Sequence, residues 1–215
     1  MRGRIAVQIL LASCAFGVAG CGGAGSPKPK APMGFFITSV GPGDGGNLGG
    51  IAGADAHCQK LASAVGAGQR WWRAYLSAPS IDGRPAVNAR DRIGSGPWFN
   101  AKGVEVADSV RSLHADSRGL SWQNSLTESG AVVPSNIHDM LTGSNPDGTL
   151  AVSPDLSCRG WTSDTVGLAM VGHHDRRGGG DRPESWNSAH RSAGCSARAL
   201  DSTGGAGLFY CFAAN

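Results

Sequence analysis

The first 20 residues constrain the fold most, because they decide in which redox compartment the later cysteines find themselves. Arg2 and Arg4 make a short basic start, and Ile5 to Ala19 is apolar apart from Gln8, Ser13 and Gly17. That is the pattern of an export signal. The apolar run falls short of the roughly 20 residues a membrane-spanning helix needs, and a Gly/Pro-rich stretch follows it instead of a stop-transfer pattern. Outside the cytoplasm disulfides persist, so downstream cysteines read as staples of the fold.

The end of the leader, Val18-Ala19-Gly20-Cys21, resembles the bacterial lipobox, in which cleavage before the cysteine leaves it N-terminal and lipid-modified. Leu11-Ala12-Ser13-Cys14 fits the pattern loosely, but cutting there would leave a very short apolar region. The expected organisation is a signal peptide over 1–20, lipidated Cys21 with a Gly/Pro-rich tether over 21–33, and one folded domain over 34–215. Acyl chains stabilise attachment by about 0.8 kcal/mol per buried CH2. Lys28 and Lys30 in the tether also favour an anionic headgroup layer. The expected location is the bacterial cell envelope, lipid-anchored to a membrane, at the outer membrane or cell surface.

Along the domain, Gly34 to Val40 is aromatic and β-branched and closes on Gly41-Pro42-Gly43, which marks a strand. Ala54, Cys58, Leu61, Ala62 and Val65 recur at helical spacing ahead of Gly66, which predicts a helix that points Cys58 into the core. Trp72 to Ser77 alternates as a half-buried strand, and Gly207 to Ala213 is apolar on both faces, as a central strand should be. Arg111 to Gln123 fits either a short helix or a loop. With Cys14 removed and Cys21 lipidated, Cys58, Cys158, Cys195 and Cys211 remain, and sequence alone leaves all three pairings open.

Composition fits such a stapled, loop-rich fold. Glycine supplies 34 of 215 residues and charged residues only 16%, which argues against a helix bundle or a charged disordered chain. Of the 19 basic residues, Arg2, Arg4, Lys28 and Lys30 precede Gly34, so 15 face 16 acidic residues in the domain. The net charge of +3 therefore sits in the leader and tether, and no nucleic-acid footprint remains.

Gly49 to Cys58, Ala64-Val65-Gly66, Arg73-Ala74-Tyr75-Leu76-Ser77, Asp91-Arg92, Gly143 to Gly148, Trp161-Thr162 and Ser185 to His190 occur in this order. The series resembles endostatin, the C-terminal module of certain collagens. It is closer still to a family of bacterial lipoproteins of unknown function. The resemblance covers essentially Gly34 to Asn215. It implies an α+β, C-type-lectin-like fold: twisted antiparallel sheets, flanking helices, and nested disulfides Cys58–Cys211 and Cys158–Cys195. In sugar-binding lectins of that fold a carbonyl-Pro-carbonyl triplet and a Trp-Asn-Asp triplet hold Ca2+. Asn145-Pro146-Asp147 and Trp186-Asn187-Ser188 stand in those places, so Asn145, Asp147, Trp186 and Asn187 are candidate ligand-binding residues. Ser188, however, removes a carboxylate that a hard cation wants, and Asn-Pro-Asp-Gly is also ordinary turn chemistry. Endostatin's zinc-binding N-terminal histidines have no counterpart between Gly34 and Val40.

The densest group of potential metal ligands is His173-His174-Asp175 with Asp181, which could serve a metal-dependent hydrolase. Adjacent histidines on an extended segment face opposite ways, however, and a polar loop held by Arg–Asp pairs is the simpler expectation. No Gly-x-Ser-x-Gly elbow or phosphate-binding loop is present. Trp98 or Trp186, if exposed, could stack on a sugar ring. The functional expectation is a non-enzymatic, lipid-anchored binding module that recognises a glycan or an extracellular protein through the loops between Cys158 and Cys195. A purely structural envelope lipoprotein is the remaining alternative.

Overall fold

The last apolar run is the strand around which the domain is built. In chain order the elements are β1 (Phe35–Ile37), α1 (Gly50–Ala64), β2 (Trp72–Ala74), β3 (Trp98–Phe99), β4 (Glu105–Ala107), α2 (Val110–Ala115), β5 (Asp139–Leu141), β6 (Met170–His173), β7 (His190–Arg191), α3 (Ala197–Asp201) and β8 (Gly205–Ala213). The computed structural model describes residues 31–152 and 155–215. Cys21 and the leader lie outside the described residues, as does most of the tether. No helix among the described residues is long and apolar enough to cross a membrane.

β8 pairs antiparallel with both β1 and β2 and runs parallel to β5. From β5 the six-stranded sheet continues through antiparallel β6 and β7, while β3 and β4 form a separate pair. A strand with neighbours on both edges is buried on both faces, and the sequence of β8 meets that demand. Phe209, Cys211 and Ala213 point into one apolar cluster with Phe36, Trp72 and Trp161. Leu208, Tyr210 and Phe212 point into the other, with Phe35, Ile37, Tyr75, Trp98 and Trp186.

α1 begins four residues earlier than the spacing predicts and ends at Ala64, with Gly66 in the left-handed region where a helix terminates. Its buried face carries Ala54, Cys58 and Ala62. Asp55 faces the adjoining layer, where its carboxylate takes Arg92 at 2.7 Å, Arg73 at 2.8 Å and the Ala74 amide at 2.9 Å. The undecided 111–123 region holds the short helix α2, whose Ser109 caps the Ser112 amide.

Cys58 pairs with Cys211 and Cys158 with Cys195. The first joins α1 to β8 and closes most of the domain; the second closes the segment that carries β6 and β7. In the chain-entropy picture these closures are worth about 5 and about 4 kcal/mol as upper values. The protein is thus α+β, with mainly antiparallel sheets, few helices and two disulfides.

Candidate functional site

Strand register brings together side chains that are distant in sequence. Asp139 of β5 stands opposite His173 of β6, and Val171 of β6 stands opposite His190 of β7. Opposed residues share a face, as do residues two apart on one strand, so Asp139, His173 and His190 point the same way. His138, just before β5, stacks its ring on His173 with centroids 4.4 Å apart, and the His190 ring meets His173 edge-on at 5.0 Å.

One atom is the focus. The Oδ1 of Asp139 lies 3.3 Å from His173 Nε2, 3.3 Å from His190 Nε2 and 3.5 Å from His138 Nε2. Asp139 is 1% exposed and His173 fully buried. Six buried side-chain atoms among the described residues lack a hydrogen-bond partner, and five of them belong to Asp139, His173 and His174. Two imidazoles are held by the other nitrogen: His173 Nδ1 is 2.8 Å from the Pro183 carbonyl and His190 Nδ1 2.9 Å from the Arg191 carbonyl. His138 Nδ1 lies 3.8 Å from Asp175 Oδ1, beyond hydrogen-bond reach.

Charge follows this geometry. Burial pushes the Asp139 carboxyl up, but His173 and His190 facing it outweigh that and hold it at about 2. The Asp139 carboxylate in turn raises His190. His174 is depressed to about 4 by burial. Three groups, His138, Asp139 and His173, each bring a ligand atom to within 4.8 Å of the others, a spacing that suits a metal ion.

Of the four residues expected here from sequence, only His173 lies in the cluster. His174 is buried with both ring nitrogens unpartnered. Asp175 borders the cluster through His138, and its Oδ1 accepts the Arg177 amide at 3.0 Å. Asp181 is exposed and reaches His190 only as a charge. Sequence reasoning missed His138, Asp139 and His190 as partners. The available signal was a carboxylate inside the apolar run Ile137 to Leu141.

The expected calcium-and-sugar residues form a closed latch instead. Asn187 is buried, and its Nδ2 donates to the Tyr75 hydroxyl at 2.9 Å and to the carbonyls of Asn145 and Pro146 at 3.1 and 3.2 Å. Its Oδ1 accepts the Ser185 hydroxyl at 3.2 Å. Asn145 caps its own turn through Thr149 and Leu150, and Asp147 accepts from the Thr149 amide and hydroxyl. Trp186 is buried among Tyr75, Tyr210 and Phe212. In this arrangement the turn's donors and acceptors satisfy one another, as Asn-Pro-Asp-Gly turn chemistry allows.

A different surface is open. Between α1 and the 78–87 segment lies a groove of about 640 Å³, floored by Ile51, Ala56, Trp72, Ile81, Pro85 and Val87. Trp71 stands on its rim, 70% exposed, whereas Trp98 and Trp186, which would stack on a sugar only if exposed, are buried. Asp55 is committed to its arginines and Gln59 to the Gly68 carbonyl and the Trp72 amide, while Arg73 and Arg84 line the groove half-exposed. Among known proteins, no family model matches this chain and no curated protein matches it.

Proposed function

We propose that this chain is a lipid-anchored, extracytoplasmic binding module of C-type-lectin-like, endostatin-like architecture, whose groove beside Trp71 holds an apolar segment of a protein partner. The observation that carries the reading is the exposed Trp71 on a groove of about 640 Å³, a volume within the usual range for ligand sites. A sugar ring needs both donors and acceptors for its hydroxyls; with Asp55 and Gln59 engaged, the groove offers it only the half-exposed donors of Arg73 and Arg84. An aliphatic floor and a free indole face suit protein side chains instead. The nested disulfides and the helix that bears Cys58 support the lectin-like frame.

Lipid at Cys21 would place this groove close to the membrane. Arg70, the neighbour of Trp71, donates to the carbonyl of Met33, where the tether joins the domain. The partner is therefore another envelope protein. A photo-cross-linking residue at position 71 should give a defined adduct in intact cells, lost when Ile81→Asp charges the groove floor. The same probe at Trp122, which is also exposed, should give no such adduct. Equal labelling from both positions, or an adduct that survives Ile81→Asp, would sink the groove reading. Membrane attachment unchanged in Cys21→Ala would sink the anchor.

A further inference from the structure

We propose that His138, Asp139 and His173 bind one divalent transition-metal ion, zinc by preference, with His190 beside Asp139 at the edge of the site. The inference is independent of the groove. It starts from where each imidazole carries its proton. A carbonyl oxygen only accepts, so the nitrogens facing Pro183 and Arg191 carry protons, and in the neutral imidazole the opposite Nε2 presents a lone pair toward Asp139. A nitrogen lone pair and a buried carboxylate oxygen directed at one another need a cation between them, a proton in the free chain or a metal ion in its place. Backbone carbonyls that fix the outer nitrogen are also what orients histidines that ligate metal.

The distances agree. Metal bonds of about 2.0–2.1 Å in a tetrahedron set neighbouring ligand atoms about 3.3–3.4 Å apart. His173 and His138 Nε2 stand 3.3 and 3.5 Å from Asp139 Oδ1, and the ligand atoms of the three residues lie within 4.8 Å of one another, yet the buried carboxylate oxygens and His173 Nε2 have no hydrogen-bond partner. These groups are close as ligand atoms on one side of an ion are, with a further position open to water. Two imidazoles and one carboxylate select borderline transition metals over Ca2+ or Mg2+, which take oxygen.

The surrounding chain is shaped for the imidazoles. A Cβ on Gly178 would come within 2.6 Å of His138 Cε1, one on Gly180 within 2.8 Å of the His190 ring, and one on Gly204 within 2.8 Å of His138 Cδ2. All three have φ in the left-handed region, near +100°. The Gly178-Gly179-Gly180 run thus lies directly against the cluster as its lid. With His173 and Asp139 almost inaccessible, the ion would cross-link β5 and β6 as a structural centre.

The test uses the full chain in detergent, stripped with a strong chelator and titrated at pH 7.5 with Co2+, whose visible spectrum reports tetrahedral coordination. One equivalent should bind with a saturating visible band, and Zn2+ should displace it. His173→Ala and the milder His138→Gln, at a half-open position, should each weaken binding by more than the about 100-fold that loss of an outer partner costs at most. The exposed Asp181→Asn should leave it unchanged. No saturable binding by wild-type chain whose near-ultraviolet circular dichroism shows it folded would overturn the assignment. So would a one-equivalent site that survives both histidine substitutions.

Discussion

Asn187 and His190 stand three residues apart on one segment, each within a buried polar cluster, and the two clusters are satisfied to opposite degrees. Around Asn187 both amide atoms are engaged, its backbone carbonyl accepts the Thr142 hydroxyl at 2.6 Å, and Tyr75 extends the chain to His114 Nε2 at 2.7 Å. Around His190 and Asp139 the polar atoms converge without hydrogen bonds. A satisfied network specifies one packing of the loops and is complete in itself. An unsatisfied buried carboxylate costs free energy until something positive joins it. The first cluster accounts for how the 145–148 and 185–188 turns lock together; the second is where an additional component belongs.

The largest expected effect would break the latch. Asn187→Ala removes the amide that joins Tyr75 to the 145–146 carbonyls and leaves a gap in the buried cluster; Tyr75 keeps His114 and the Asn145 carbonyl keeps the Gly148 amide, so the cost is that of the lost bonds, about 1 kcal/mol each, and the lost packing. A net loss of about 2–4 kcal/mol is expected by urea denaturation, and it should be the same with zinc or with chelator. A loss that zinc repairs would mean the two clusters are not separable.

The second prediction concerns sign. Asp139→Asn keeps the shape of the carboxylate, removes its charge and supplies N–H donors to the facing Nε2 atoms. At pH 8 in chelator it should lower the melting temperature by roughly 2–4 °C, about 1 kcal/mol for a domain of this size, because, against burial, the facing histidines favour the charged carboxyl, held at about 2. With saturating zinc the gap between wild type and variant should widen. Parallel behaviour in both conditions would remove the distinction between the clusters.

Local signals in the sequence reached some of this arrangement and not the rest. The spacing of Ala54, Cys58 and Ala62 is enough to place α1, because helical amphipathicity is a property of one segment. The all-apolar run ending in Ala213 likewise announces a central strand. The α+β class and the disulfide pairing come with the resemblance, since local signals leave all three pairings open and pairing is decided by which elements pack together. The histidine cluster is different, because its partners are chosen by strand register: Asp139 meets His173 across a strand pair, while His174 and Asp175, the sequence neighbours, go elsewhere. Asn187 misled because the residue types of a cation site and of a turn latch are the same. Only the direction of its amide, toward three oxygens, distinguishes them. Trp71 could not be told from Trp72 by composition; alternation on β2 buries Trp72 and leaves its neighbour on the rim.

The smallest effect expected is a pH dependence confined to the latch. His114 Nδ1 faces the Val110 carbonyl at 2.7 Å and Nε2 faces the Tyr75 hydroxyl, with the Trp186 ring beside it and Arg90 and Asp147 nearby. Burial holds His114 below its ordinary value, the Val110 carbonyl opposes that, and the Arg90 charge adds to it. A histidine depressed in the folded state is neutral in both states above the unfolded value of about 6.5, so its contribution is fully present there. As pH falls below about 6.5 the unfolded chain takes the proton first, and stability declines until the folded value is passed. The urea midpoint should therefore fall between pH 7.5 and 5, and part of that fall should vanish in His114→Gln, whose amide can still meet the Tyr75 hydroxyl. Because Asn187 and Tyr75 remain paired throughout, the loss must stay below that of Asn187→Ala. An undiminished fall in His114→Gln would assign the acid sensitivity to the other cluster, where His174, buried and unpartnered, is the next histidine that resists protonation.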